Sequence, residues 1–320
     1  MAMTMTTNTP GNNGGERVEK VETCPDVTGI GVAILGVTAT PKRPGTPGME
    51  PCAWTAVEDY AAVVHDRTGI RAGRLLLAHR GADAVAVRIA ELPGSVSAVF
   101  VVGMSPSQSA CVQLKAASLE GPVVVSEFDV IAAALAAAAI NTLRRHNVAP
   151  RHGRIVVTNP EVLPRLGPLL LMAGVATLTI WNEREAGEHT LPAVMADHDL
   201  LIDLAGTAPG TAAPDRTLML PRKPFDYGAL VLPGLLSAVC RHHAASLTIG
   251  VLAACARAVA AIARPSRILP ALTEPLLVPT VTSQVARVLG QHRPPRCAYR
   301  HPSAGPQPIA RHRNPGGQPS

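Results

Sequence analysis

The stretch Arg154-Ile-Val-Val-Thr-Asn-Pro-Glu-Val-Leu-Pro-Arg-Leu-Gly167 constrains this chain more than any other. An apolar β-branched run enters a turn, and an apolar helical stretch (Leu169, Leu170, Leu171, Met172) leaves it. A second short run, Thr177 to Trp181, follows and ends at Asn182-Glu183. Strand, turn, helix and strand in that order make a nucleotide-binding βαβ unit of a parallel sheet. The turn lacks the glycines that let backbone amides approach a pyrophosphate: Thr158, Asn159, Pro160 and Glu161 stand there instead. Proline offers no amide hydrogen, and glutamate puts negative charge where phosphate sits. Thr158, Asn159 and Gly167 are the candidate cofactor-binding positions on this altered loop. Glu183 stands where an acid would hold a ribose hydroxyl, or, with the phosphate loop altered, is a solvated loop acid.

The rest of the chain supplies similar units. Gly29–Gly36 reads as a glycine-containing strand and not as a phosphate loop, because Pro41, Pro44 and Pro47 interrupt any following helix. Tyr60–His65, Leu75–Ala78, Ala84–Ile89, Ala98–Val102 and Gly121–Val125 read as strands, with a helix over Gln108–Leu119. A long alanine-rich helix runs to Arg145, with Asp129 as its N-cap. Leu200–Leu204 and Thr217–Leu220 read as further strands; Ala229–His242, Leu247–Ala263 and Val278–Leu289 read as helices. The expectation is an α/β protein. A doubly wound parallel Rossmann-type sheet spans 126–290, and a smaller α/β domain spans 46–125. Residues 1–45 read as a flexible segment and 291–320 as a disordered basic tail.

Net charge matters only through its location. The chain carries +6, but Arg293, Arg296, Arg300, Arg311 and Arg313 lie in an acid-free C-terminal stretch. The body is close to neutral, which argues against a nucleic-acid surface. The six cysteines form no CxxC pair, so neither a zinc site nor a disulfide framework is expected. The N-terminus has no apolar signal core, and no apolar run long enough for a bilayer is free of charge. The expectation is a cytoplasmic protein with no membrane contact.

Six stretches, in order, resemble the malic enzymes. They are Thr46-Pro-Gly-Met-Glu-Pro-Cys52, Ala72–Leu77 with Gly81–Ala84, Pro122–Asp129 with its alanine helix, Leu169–Val175, Phe225–Leu235, and Ile268–Pro270 with Leu276–Pro279. The resemblance spans about residues 46–290 and implies a malic-enzyme-like N-terminal domain, an NAD-binding-like domain and a dimer. It also implies NAD or NADP, Mg²⁺ or Mn²⁺, and oxidative decarboxylation of malate. The functional positions carry over poorly. The proton-donating tyrosine falls at Gly45, and the lysine base falls at Arg74, whose guanidinium does not give up its proton. Two metal carboxylates fall near Met104 and Ser105. The third falls at Glu127, a relic metal ligand; the substrate asparagines fall at Tyr227 and Gly228.

Arg74 and Asp129 remain as the candidate catalytic residues. Arg74 could clamp a carboxylate or phosphate; Glu127 and Asp129 could form an acid–base pair or simply start a helix. His242-His243 points to helix capping; Arg222-Lys223, near the expected cleft mouth, could attract an anion or be a plain charged loop. The leading expectation is a divergent malic-enzyme-like protein without classical malate decarboxylation. It would bind a small anionic metabolite, or act as a homodimer or as partner subunit to an intact homologue. The alternative is an active NAD(P)-dependent oxidoreductase or decarboxylase acting on malate or a related 2-hydroxy acid. A purely structural interaction protein is the third reading.

Overall fold

The computed structural model describes residues 31–38, 53–78, 81–182, 190–204, 206, 213–244 and 246–291. Eight strands among them form two separate four-stranded sheets, all parallel. The first contains β1 (Val32–Thr38), β2 (Ala72–Ala78), β3 (Ala98–Val102) and β4 (Val123–Ser126), in the order β2-β1-β3-β4. The second contains β5 (Arg154–Thr158), β6 (Thr177–Trp181), β7 (Leu200–Asp203) and β8 (Thr217–Met219), in the order β6-β5-β7-β8. In each, the chain winds from its first strand to one edge, then returns to the other side of that strand. Each sheet therefore has a switch point at the carboxyl ends of its two inner strands, where α/β folds place ligands.

The connecting helices are α1 (Ala53–Thr68), α2 (Ala82–Ala90), α3 (Pro106–Ser118), α4 (Glu127–Arg145), α5 (Leu166–Ala173) and α6 (Leu191–Met195). Three more complete the fold: α7 (Pro224–His242), α8 (Ile249–Ile262) and α9 (Leu277–Gln291). Helix α4 is the shared element. Every residue from Asp129 to Leu143 is buried, and one apolar core around it includes Phe100 and Val125 of the first sheet with Ile155 and Ile202 of the second. Alanine makes this geometry available: its small side chain lets α7 and α8 pack close against α4 while keeping high helix propensity.

Two segments read as strands are helices. Tyr60–His65 lies within α1 and Ala84–Ile89 within α2. The buried residues of α1 are Val57, Tyr60, Ala61 and Val64, spaced as one helical face, and that period outweighs the local β propensity of Tyr and Val. The cap of α4 also moves. Ser126 is the N-cap, accepting from the Asp129 amide, while Asp129 closes the capping box from the third helical position.

Candidate functional site

The site at the carboxyl end of the first sheet is built by α1, β4, α4 and α7. Glu127 opens α4, directly after the last residue of β4. Tyr60 reaches it from the middle of α1, and its hydroxyl donates to Glu127 Oε1 at 3.0 Å. The Tyr60 ring is fully buried. It meets Phe100 of β3 edge-on, with centroids 4.7 Å apart, and Phe225 of α7 at 5.1 Å. Below the hydroxyl lies Gly228: a Cβ there would stand 2.5 Å from the Tyr60 oxygen. The side chain of Tyr60 thus occupies the space above α7 and between the aromatic rings.

Electrostatics follow from this burial. Desolvation pushes the Tyr60 phenol far above its ordinary value, and the neighbouring Glu127 charge adds to the effect. Tyr60 is held as a proton donor and does not ionise near neutrality. Burial also raises Glu127, and the hydrogen bond from Tyr60 partly offsets that rise.

Asp129, two residues on, faces elsewhere. Its Oδ2 accepts from the Ser126 amide (2.8 Å), the Ser126 hydroxyl (2.8 Å) and Gln113 Nε2 (2.6 Å). Its Oδ1 accepts from Arg165 at 3.0 Å. Four donors saturate this buried carboxylate and tie α3, α4 and the β5–α5 loop together. Arg74 is remote from both acids. It lies exposed on edge strand β2, in register with Ile34, while Glu127 follows β4 on the opposite edge. Three strand spacings, about 14 Å, separate those edges. The structure therefore joins Glu127 to Tyr60, a residue read from sequence as part of a strand, and leaves Arg74 apart.

The switch point of the second sheet lies between β5 and β7. Thr158 ends β5 and Asp203 ends β7; both are buried. The Thr158 hydroxyl donates to Asp203 Oδ1 at 2.8 Å and accepts from the Leu204 amide at 3.0 Å. Asp203 Oδ1 also accepts from the Gly206 amide at 3.0 Å. Three backbone amides of the loop are committed as well: Val162 donates to the Asn159 carbonyl, Leu163 to Pro160 and Leu166 to Leu163. Asn159 itself adopts the left-handed conformation, with φ 45°, which asparagine tolerates better than most residues. Gly167 sits one residue inside α5, where a Cβ would come within 3.0 Å of Leu178 of β6, so its role is close helix–strand packing. Glu183 and Gly45 lie outside the described residues. Asp203 escaped the sequence reading; an acid closing a strand next to the first strand's turn was the available signal.

Solved structures superpose on this architecture. A malic enzyme from Pyrococcus horikoshii matches with a TM-score of 0.66 at 12% identity, over 83% of this chain and 78% of its own. One from Entamoeba histolytica matches at 0.64 and 15% identity, over 81% and 69%. An NAD-dependent malic enzyme from Thermotoga maritima matches at 0.62 and 14% identity, over 79% and 84%. The fold is that of the malic enzymes. No protein-family model matches the chain, and comparison of sequences finds no similar curated protein.

The groups that a malic-enzyme fold implies can be tested against the residues present. A divalent cation wants several carboxylate oxygens, but Oε1 of Glu127 is taken by Tyr60, and Met104 and Ser105 bring none. Among the described residues, no group of three or more His, Cys, Asp or Glu side chains could hold a metal. A pyrophosphate needs free amides at the first turn of the Rossmann-type sheet; here Pro160 and Pro164 have none to offer and those of Val162, Leu163 and Leu166 are bonded within the loop. The buried Asp203 carboxylate would also repel phosphate. Neither group fits its expected place. No helix among the described residues is long and apolar enough to cross a membrane.

Proposed function

We propose that this protein is a malic-enzyme-like scaffold that does not carry out malate oxidative decarboxylation and serves as a metabolite binder or partner subunit. The observation that carries the reading is the seat of Tyr60. A fully buried phenol fills the space above Gly228 and hydrogen-bonds one oxygen of Glu127, the one acid kept at the expected metal positions. The Thr158–Asp203 pair supports it from the second sheet by occupying the switch point. Arg74 cannot replace a lysine base, since its guanidinium keeps its proton. In this reading the two-part organisation of the fold is kept, with the first part reaching back from 46–125 to include the inner strand β1 (Val32–Thr38) and the second spanning 126–290; Glu127 and Asp129 are structural acids, and Gly167 packs a helix. A homodimer or a complex with an intact homologue in the cytoplasm is part of the same proposal.

The test is direct. Purified protein with malate, Mg²⁺ or Mn²⁺ and NAD or NADP is expected to give no turnover, and calorimetric titration with either cofactor no binding at millimolar concentration. Turnover at ordinary enzymatic rates, about 1 per second or more, would overturn the reading. A co-purification with an intact malic enzyme then separates the two roles: a stable complex supports a partner subunit, and its absence leaves the metabolite binder.

A further inference from the structure

We draw no further inference here: the strongest candidate, the exposed apolar surface of edge strand β6 and helix α5 (Ile180, Leu171 and Met172), carries nothing because nothing in the structure shows what covers it.

Discussion

Gly228 and Tyr60 are complementary in volume: a Cβ on Gly228 would stand 2.5 Å from the Tyr60 hydroxyl oxygen and 2.9 Å from its ring. A glycine inside a helix ordinarily costs about 0.5–1 kcal/mol relative to alanine, so Gly228→Ala should stabilise α7 if space allowed. Here the added methyl meets a buried phenol anchored by Glu127, Phe100 and Phe225. The expected outcome is the opposite sign, a loss of about 1–3 kcal/mol from overpacking. Urea denaturation of Gly228→Ala measures it. In a Tyr60→Ala background the same change should become neutral or stabilising, and a cycle showing no such coupling would remove Tyr60 from the space above Gly228.

Glu127 ties stability to pH. Burial raises its folded carboxyl above the ordinary 4.5, with the Tyr60 hydrogen bond as the smaller, opposing influence. A raised carboxyl binds its proton more tightly when folded. Its contribution is therefore most favourable below about pH 4.5 and is lost as pH rises through the folded value. Glu127→Gln keeps an acceptor for Tyr60 and removes the buried charge. The variant is expected to melt at or above the wild type at pH 8, with the advantage shrinking as pH falls toward 4. Scanning calorimetry at both values decides it, and an advantage confined to low pH would reverse the assignment.

Much of the fold was legible because strands buried on both faces read as continuous apolar runs. Ala98–Val102, buried throughout, appears in the structure with those bounds; the edge strand Thr177–Trp181 does too, but it is only partly buried and is legible from its β-branched and aromatic residues. Helix α1 was not legible in the same way. Tyr60-Ala-Ala-Val-Val reads locally as β, and the helical period shows only when Val57 is included. The site was harder still. The hydrogen bond from Tyr60 to Glu127 spans 67 positions, and that from Thr158 to Asp203 spans 45. No local pattern encodes such pairs. Glu127 and Thr158 stood out because each lies where a strand gives way to a turn or helix; their partners became visible only once helix and strand packing brought them together.

Thr158 and Asp203 form a closed unit across the β5–β7 switch point. Replacing Asp203 by alanine leaves the Thr158 hydroxyl and the Gly206 amide without this acceptor. A cost of about 1–3 kcal/mol follows for buried donors so left. Opening the crevice should not create a dinucleotide site, because the amides of Val162, Leu163 and Leu166 remain bonded within the loop. The expected result for Asp203→Ala is a lower urea midpoint and no heat on titration with NAD or NADP. Micromolar cofactor binding by this variant would mean that Asp203 alone blocks the site.

Asp129 and Arg165 form an unequal pair, and the inequality is measurable. The aspartate is buried and accepts from four donors, whereas the arginine side chain is 33% exposed. Removing Arg165 leaves Asp129 with three acceptor bonds from Ser126 and Gln113, so Arg165→Ala is expected to cost about 1–2 kcal/mol. Removing Asp129 strands the buried Ser126 amide and hydroxyl at the start of α4, leaves Gln113 Nε2 only the Val124 carbonyl, and frees the β5–α5 loop from α3. Asp129→Ala is expected to cost about 3–4 kcal/mol, in the range for breaking a buried charged pair from its buried side. Asp129→Asn should recover part of that loss, because its carbonyl oxygen still accepts. Chemical denaturation of the three variants gives the order directly. Equal costs for Arg165→Ala and Asp129→Ala would mean that the ion pair alone matters and that the hub at the start of α4 does not.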